Sequence, residues 1–393
     1  MKILMINVVC GVKSTGRICT DLATAVDLRE KGHIVKIAYG REEVPVEYQK
    51  YGVRIGSKKD VVQHGLKARF LDGSGFGSIK ATKEFLDWVK SFDPDVIHLH
   101  NIHGYYIHVG LLFKYLKQSG KKVIWTLHDG WSFTGHTPYC DTVNCEKWRT
   151  GCGHCPLKST YPKSFLDFSK RNFKRKKRLF TGLSDMTLVT PSHWLENRVK
   201  QSFLSEYRTV VIPNGIDTSV FYRRDNDFKE KHGISDKIML LGVSTAWDEM
   251  KGLTDYYKLA DVLGDGYKVV LVGLKENQML SVPENVIGIT RTSSKEELAE
   301  IYSAADLFLN LTYCDTYPLV NLEARACGLP ILTYDTGGSP DSAGECAVVV
   351  ARGNLEAVVK KIHEYDFSVK NNENFDVNMS RKFLDEYLKL YLE

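Results

Sequence analysis

The sequence predicts an α/β protein with two doubly wound domains, each built around a parallel β-sheet. Short apolar runs, many of them rich in β-branched residues, alternate with amphipathic stretches along most of the chain. This pattern is typical of parallel strands that helices cover on both faces. The alternation occurs twice, and 393 residues are more than one ordinary core organises. Two domains are therefore expected.

Each strand is predicted from its own apolar run. In the first half of the chain the runs lie at residues 2–9, 33–39, 95–101, 121–127 and 186–190. In the second half they lie at residues 237–244, 267–273, 285–289, 306–311, 330–334 and 345–351. The stretches between them have helical periodicity, and Ser294 with Glu297 forms a capping box at one helix start.

Turn signals and chain length set the predicted domain limits. The turn Pro213-Asn214-Gly215 gives a first domain of residues 1–212 and a second of residues 213–373. Residues 374–393 are expected to form a helix that packs back on the first domain. Residues from about 128 to 162 form a Cys-rich insertion much longer than an ordinary connection, so we expect it to be functional or internally linked.

Composition narrows the class of protein. Contents of 43% hydrophobic and 26% charged residues are typical of a soluble globular chain, and no apolar run has the roughly 18–20 residues that cross a bilayer. The N-terminal run lacks a basic region and a cleavage site, so we interpret it as a strand and expect a cytoplasmic protein with mostly reduced thiols. A net charge of +5 gives no indication of nucleic-acid binding.

Basic residues concentrate in one segment. Between Lys163 and Arg178 eight residues are basic and one, Asp167, is acidic. Phenylalanine and leucine are interleaved with them, which predicts a basic amphipathic helix. Such a helix is either a solvated face or a contact with an anionic membrane surface, at which the protein would be peripherally bound.

Polar residues just after the strands are the candidates for function, because ligands of open α/β sheets bind beyond the C-terminal strand ends. Gly11 and Gly16 bracket a loop at a helix start, where a phosphate could bind, and a plain tight turn explains either glycine equally well. Asp315 lies in the loop after a strand, and Glu323 lies in the following helix. Glu323 either complements the helix dipole or accepts hydrogen bonds from a vicinal diol.

The stretch DTYPLVNLEARACGLPIL, residues 315–332, resembles the motif of two acids eight positions apart in retaining glycosyltransferases of family 4 type, which have the GT-B fold of two Rossmann-like domains facing a cleft. The segments STGR, PNGID, WDEMKGL and TGGSPD occur in the order expected for that family. TLHDGWSFTGH and GCGHCP resemble enzymes that assemble colanic acid and capsular polysaccharides. The resemblance covers nearly the whole chain and implies transfer of a sugar from a nucleotide-sugar donor.

The resemblance also implies roles for individual residues. Glu323 would bind the ribose of the nucleotide, and Asp315 would contact the transferred sugar. Lys251 would neutralise the diphosphate, to which Gly16 would offer a backbone amide. His128 would contact the sugar near the reacting centre.

Two departures from the family pattern affect these assignments. The first acid is usually Glu and is Asp315 here, and the Arg expected five residues before Lys251 is Ala246. Arg291, at a strand end, is our candidate for the second cation, and Gly338 in the TGGSPD turn is a further candidate for donor binding. Because cations and helix N-termini would stabilise the leaving diphosphate, we expect that catalysis requires no metal or other cofactor.

Cysteines and histidines cluster in and near the insertion. Four cysteines follow the spacing C-x4-C-x6-C-x2-C: Cys140, Cys145, Cys152 and Cys155. This spacing suits a structural zinc site, with unliganded thiols and disulfides as the alternatives and His136 or His154 as alternative ligands. We expect His98 and His100, on one strand, to point to opposite faces, so that one of them is a core histidine.

Three functions are compatible with the sequence. The first is a retaining, hexosyltransferase-type enzyme of surface polysaccharide biosynthesis, with a saccharide acceptor that we expect to be lipid-linked. The second is a nucleotide-sugar epimerase or hydrolase, because a fold does not fix one chemistry. The third is a catalytically weak sugar-nucleotide-binding scaffold, prompted by Ala246 and Asp315. The long insertion and the basic segment favour the first, because an epimerase has no extended acceptor.

Overall fold

The computed structural model describes residues 1–29, 32–367, 375 and 378–393. The chain divides into two compact units. Unit 1 contains Met1–Ile212 together with Leu384–Glu393, and unit 2 contains Pro213–Phe383. Residue 374, at which the C-terminal segment is expected to begin, lies outside the described residues.

Unit 1 is built on a seven-stranded parallel sheet. Its strands are β1 (Lys2–Ile6), β2 (Ile34–Tyr39), β3 (Gly52–Arg54), β4 (Val96–Leu99), β5 (Lys122–Thr126), β6 (Met186–Thr190) and β7 (Arg208–Val211). Its helices are α1 (Lys13–Arg29), α2 (Lys58–Leu71), α3 (Ile79–Phe92), α4 (Val109–Ser119), α5 (Ser169–Phe180) and α6 (His193–Lys200). The strand order β3-β2-β1-β4-β5-β6-β7 places the topological switch between β1 and β4.

Unit 2 repeats this plan with a six-stranded parallel sheet. Its strands are β8 (Ile238–Val243), β9 (Tyr267–Val272), β10 (Val286–Ile289), β11 (Leu307–Asn310), β12 (Ile331–Asp335) and β13 (Val348–Ala351). Its helices are α7 (Phe228–Lys231), α8 (Leu253–Leu263), α9 (Glu276–Met279), α10 (Lys295–Ala304), α11 (Leu319–Ala326), α12 (Ser339–Ala343) and α13 (Leu355–Glu364), and α14 (Met379–Leu392) begins in this unit. The order β10-β9-β8-β11-β12-β13 puts its switch between β8 and β11.

The predicted fold class is confirmed. Every apolar run named above contains a strand, and both sheets are parallel with helices between the strands. Two strands of unit 1, β3 and β7, are absent from the prediction. They are short edge strands with no buried residue, so they lack the apolar run by which a buried strand is recognised.

The last turns of α14 belong to the core of unit 1. The hydroxyl of Tyr391 lies 2.7 Å from Nδ1 of His98, and the hydroxyl of Tyr387 lies 2.9 Å from that of Thr126. Both tyrosines are buried, so their hydroxyls need partners inside the protein. The end of the chain is thereby tied to β4 and β5.

The helix predicted from Lys163 to Arg178 is wrong at its start. The observed helix, α5, begins at Ser169, and the residues before it are not helical. Asp167 turns the chain here, because its carboxylate accepts hydrogen bonds from the backbone N–H groups of Ser169 and Cys155, at 2.9 and 2.7 Å. The segment before α5 is therefore fixed by hydrogen bonds to the Asp167 side chain and lies outside the helix.

The apolar side of α5 faces the interior of unit 1, and so does one of its cations. The ammonium group of Lys176 is buried, donates to the carbonyls of Trp131 and Thr134 at 2.7 and 3.1 Å, and lies 3.4 Å from the centre of the Trp131 ring. Burial lowers the pKa of Lys176 to about 7. The basic segment is therefore partly a core element. Within the described residues, no helix is both long and apolar enough to cross a membrane.

Candidate functional site

The loops after β8 and β11 meet in unit 2 around one ion pair. Nζ of Lys251 lies 2.6 Å from Oδ2 of Asp315. Lys251 ends a short 3-10 turn, Glu249–Lys251, at which the Asp248 carboxylate accepts a hydrogen bond from the Lys251 N–H at 3.1 Å. Because β8 and β11 are neighbours at the switch point, their C-terminal ends bring these two predicted residues together.

The Lys251–Asp315 pair is only partly shielded from water, with side-chain exposures of 32% and 25%. Burial by itself would lower the pKa of Lys251, but the adjacent Asp315 carboxylate outweighs it, and the pKa is raised. Lys251 is therefore a stable cation. An ammonium group has three N–H donors, so one contact with Asp315 leaves donors for an anionic ligand.

The TGGSPD turn supports the backbone of the Asp315 loop. Gly337 has a φ of +57°, and a Cβ atom there would lie 1.8 Å from the Asp315 carbonyl oxygen, so only glycine fits. The N–H of Gly338 donates to that same carbonyl at 3.0 Å. Gly338, predicted to bind the donor, thus uses its amide to hold the Asp315 loop.

Glu323 has a partner that the sequence does not indicate. Its Oε2 accepts a hydrogen bond from the hydroxyl of Tyr302, in α10, at 2.8 Å. Tyr302 is buried, and burial together with the Glu323 carboxylate raises the pKa of the tyrosine far above its ordinary value. A carboxylate offers about four acceptor positions, and the Tyr302 hydroxyl occupies one of them and orients Glu323.

A buried polar network fixes the start of α11, which follows Pro318 as its N-cap. The Asn321 side chain accepts from Nδ2 of Asn310 at 2.8 Å and donates to the Ser342 hydroxyl at 2.8 Å and to the Ser339 carbonyl at 3.1 Å. These bonds join α11 to β11 and α12. They hold Glu323 at a constant distance from the Asp315 loop.

Arg291 does not join the Lys251–Asp315 pair. It is exposed and follows β10, an edge strand three positions from β11, which corresponds to about 14 Å across the sheet. A nearer guanidinium belongs to Arg352, whose Nη1 donates to the Tyr313 carbonyl of the Asp315 loop at 3.4 Å. Arg352 follows β13. Its position at a strand end was the feature of the sequence that could have identified it as a candidate cation.

In unit 1, His128 follows β5 as predicted and stacks on a second histidine. Nε2 of His128 lies 3.0 Å from Nδ1 of His100, and the two rings are 5.3 Å apart. The rings of His98 and His100 are only 4.0 Å apart. The expectation that these two point to opposite faces is wrong, because side-chain alternation has a period of two and residues two apart share a face.

Burial keeps this group of imidazoles neutral. It lowers the pKa of His98 to about 3 and that of His128 to about 4. Burial, with the neighbouring His98 and His128, also lowers the pKa of His100 well below its ordinary value. Nε2 of His100 is buried with no hydrogen-bond partner in the described part of the chain. At neutral pH the group therefore presents uncharged donors and acceptors.

A second polar group beside His128 is absent from the sequence prediction. Nε2 of His103 lies 2.9 Å from Oδ2 of Asp129, and its Nδ1 lies 3.2 Å from the hydroxyl of Tyr161. His103 and Asp129, with His100 and His128, line one small pocket. The adjacent pair His128-Asp129 and the position of His103 after β4 were the available signals.

Gly16 lies in the first turn of α1 and has a packing role. A Cβ atom there would lie 3.0 Å from Cγ2 of Val9 and 3.3 Å from the amide nitrogen of Gly11. The Gly11 N–H donates to the Gly16 carbonyl at 3.1 Å. Tight packing between the loop after β1 and α1 explains this glycine, and its contact with a phosphate stays a prediction.

The four cysteines of the insertion are free thiols. Burial raises the pKa values of Cys152 and Cys155 to about 11, and the Cys152 sulfur accepts a hydrogen bond from the Gly135 N–H at 3.2 Å. Among the described residues, no group of three or more His, Cys, Asp and Glu side chains is arranged to hold a metal ion. The zinc site therefore stays a prediction.

The fold and the charged strand-end loops define a glycosyltransferase of the GT-B class. Two family models match the chain: "Glycosyltransferase Family 4" over residues 17–220 and "Glycosyl transferases group 1" over residues 224–379. The first match covers more than half of the chain. The chain belongs to glycosyltransferase family 4.

Individual relatives are distant. WcaC of Escherichia coli (strain K12), named as a glycosyl transferase of colanic acid biosynthesis, is 26% identical over 324 residues, which cover 77% of each chain. Sucrose-phosphate synthase from Thermosynechococcus elongatus superposes with a TM-score of 0.68 at 15% identity, covering 100% of this chain and 96% of the other. HepE of Anabaena, solved in complex with UDP, gives 0.65 at 12% identity, covering 100% and 99%. These two structures share the fold.

Proposed function

We propose that this protein is a retaining glycosyltransferase that moves a sugar from a nucleotide-sugar donor to a saccharide acceptor in surface polysaccharide biosynthesis. The observation that carries the proposal is the Lys251–Asp315 pair at the ends of β8 and β11, followed by the oriented carboxylate of Glu323. A fixed cation suits a diphosphate, and the two acids suit hydroxyl groups. The likeness to WcaC supports the polysaccharide assignment.

In this proposal the donor rearranges the ion pair. The diphosphate binds the free N–H donors of Lys251 and competes with Asp315 for its charge. Asp315 is then released to accept hydrogen bonds from the hydroxyl groups of the transferred sugar. Glu323, held by Tyr302 at 2.8 Å, accepts from the ribose diol.

The chemistry proposed for the site is stabilisation of the leaving group. As the glycosidic bond of the donor opens, negative charge accumulates on the diphosphate next to Lys251, so the lysine lowers the barrier most in the transition state. The acceptor hydroxyl attacks from the face that the diphosphate leaves and passes its proton to the departing diphosphate oxygen, so the anomeric configuration is retained. We assign to neutral His128 a hydrogen bond with the transferred sugar.

The donor and the acceptor are proposed by chemical class. HepE was solved with UDP and also with UDP-glucose, which supports a nucleotide-sugar donor and makes uridine diphosphate sugars the first to test. The acceptor is a saccharide, which we propose to be lipid-linked because the related WcaC is named for the assembly of a surface polysaccharide.

The test is a panel of nucleotide sugars incubated with the protein, with and without a lipid-linked saccharide acceptor. Acceptor-dependent release of the nucleotide diphosphate, and a product with the anomeric configuration of the donor by NMR, are expected. Conversion of the donor without acceptor would identify an epimerase or hydrolase instead. Binding of a nucleotide sugar with no turnover under any condition would identify a scaffold.

A further inference from the structure

Unit 1 exposes a group of large apolar side chains that we name the α2 patch. The patch consists of six residues that are each between 46% and 61% exposed: Val62, Leu66, Phe70, Leu71, Phe165 and Leu166. The rings of Phe70 and Phe165 are 5.4 Å apart and connect the helix to the segment before α5. Scattered single apolar residues on a surface are ordinary, but a connected group of this kind marks an interaction site.

The helical repeat of α2 explains how the patch arises. Val62, Leu66 and Phe70 are four residues apart, so they form one stripe along the helix. His64 and Ala68, on the other side, are the buried residues of α2. The helix therefore buries His64 and Ala68 toward the unit and is also apolar along part of its outer surface, which folding of unit 1 alone does not require.

The patch has a rigid base. The Phe165 N–H donates to the Arg69 carbonyl at 2.8 Å, which fixes the segment before α5 against the end of α2. At that end the buried Asp72 carboxylate accepts from Nδ1 of His136 at 2.6 Å and from the Phe168 N–H at 2.9 Å. The apolar side chains are consequently held outward by a hydrogen-bonded framework.

Cations surround the apolar side chains. The guanidinium of Arg69 lies 4.8 Å from the centre of the Phe165 ring, Nζ of Lys158 donates to the Phe165 carbonyl at 3.4 Å, and Nη2 of Arg171 donates to the Leu71 carbonyl at 3.5 Å. The acids next to this group, Asp72 and Asp167, are engaged by backbone N–H groups. The patch is therefore apolar at its centre and positive at its rim.

We propose that the α2 patch is the surface by which this protein docks on an anionic lipid bilayer. Its phenylalanine and leucine side chains enter the interfacial layer, and Arg69, Lys158 and Arg171 pair with lipid phosphates. This centres the membrane contact on α2 and the segment before α5, and Arg171 is the residue that α5 contributes. The proposal does not depend on the transferase activity, because lipid binding is measured without donor or acceptor.

The first experiment is flotation of the full chain with vesicles of phosphatidylcholine, with or without phosphatidylglycerol. Binding is expected only when phosphatidylglycerol is present. The double variant Phe70→Ser/Phe165→Ser should bind those vesicles at least about tenfold more weakly, since each phenylalanine loses its transfer from water. The matched control is Val262→Ser/Leu280→Ser, which removes two exposed apolar residues of unit 2 and should leave binding unchanged.

The charge requirement is tested with a second pair of variants. Arg69→Gln/Arg171→Gln should weaken vesicle binding by about fivefold for each charge removed. Lys174→Gln/Lys177→Gln removes two exposed cations of α5. It should change vesicle binding by less than about twofold, because only the net charge of the protein is reduced. Raising the salt concentration should release the wild-type protein. Circular dichroism of each variant checks that unit 1 is folded.

Three results would overturn the proposal. The first is unchanged vesicle binding by the folded Phe70→Ser/Phe165→Ser variant. The second is equal loss in the Lys174→Gln/Lys177→Gln control, which would return the contact to α5. The third is a wild-type dimer, seen by sedimentation, that the phenylalanine variant converts to a monomer, because a second copy of the chain would then cover the patch.

Discussion

Unit 1 and unit 2 share one plan and differ in the chemistry at the same edge of the sheet. At the ends of β4 and β5 in unit 1 lie imidazoles whose pKa values burial lowers to about 4 or below, among them His98 within β4 and His128 after β5. After β8 and β11 of unit 2, the side chains are the ions Lys251 and Asp315, 2.6 Å apart. The imidazoles at the first edge are neutral, whereas the ion pair at the second is charged and partly exposed.

The difference comes from the loops and not from the sheets. In unit 1 the long insertion packs Trp131 and its neighbours over the strand ends, and burial disfavours charged imidazole. In unit 2 the loops after β8 and β11 are short, so the ions keep contact with water and with each other. A doubly wound sheet determines where a ligand binds, and the loop length determines which charge state is stable there.

Replacement of Glu323, the acid of α11, should have the largest effect on the rate of transfer. Glu323→Ala should lower the rate of transfer by about 10²–10⁴-fold, because two charge-assisted hydrogen bonds of about 1.5–3 kcal/mol each are lost. Tyr302→Phe is the matched control: it keeps the carboxylate and removes only its orienting bond, so a loss below about tenfold is expected. Normal turnover and donor affinity in Glu323→Ala would refute the ribose assignment.

Removal of the Lys251 charge in unit 2 should have the next largest effect on the rate of transfer. We expect Lys251→Ala to lower kcat by about 10²-fold with a smaller change in KM, because the charge matters most when the diphosphate leaves. Steady-state kinetics with the donor from the nucleotide-sugar panel measure this. If KM alone rises, Lys251 binds the ground state and the transition state equally.

Because the buried histidines of unit 1 are neutral, we expect the free energy of unfolding to fall in acid. In the unfolded chain an imidazole has a pKa of about 6.5, and in the folded chain burial lowers the pKa of His98 to about 3. Below pH 6.5 the unfolded chain therefore binds more protons, and the free energy of unfolding falls as the pH drops toward 4, by on the order of 3 kcal/mol for one such residue.

Urea unfolding followed by tryptophan fluorescence at pH 7, 6, 5 and 4.5 measures this loss. His98→Gln removes one titrating group and should make the dependence on pH shallower, although its stability at pH 7 is lower. His232→Gln, an exposed residue of unit 2, is the control and should leave the dependence unchanged. Parallel curves for the wild type and His98→Gln would contradict the explanation.

A substitution in the Cys-rich insertion should have the smallest effect on transfer. We predict about one tightly bound zinc per chain, which Cys152→Ser should release while donor turnover changes by less than about twofold. Elemental analysis of protein purified without a metal-binding tag measures it, with the exposed Cys346→Ser as a control that keeps the metal. A zinc-free protein that is fully folded would refute the site.

The local sequence pattern was sufficient to predict much of the fold. The apolar runs predicted both sheets, and the positions of Asp315, Lys251 and His128 after strands were correct, because strand ends follow from hydrophobic periodicity within a few residues of sequence. The wrong expectation for His98 and His100 was an error in applying that periodicity. Arg291 lies three strand positions from β11, because strand order in the sheet differs from strand order in the chain, and its role as the second cation stays a prediction.

The sequence by itself determined the fold class, the strand ends and the spacing of the two acids, since these depend on residues close together in the chain. Only the tertiary structure decided which of these groups meet. It paired Lys251 with Asp315 and Glu323 with Tyr302, and it buried Lys176 in the middle of a basic segment. Such contacts join residues 21 to 64 positions apart or bury one face of a helix, and both depend on how separate elements pack.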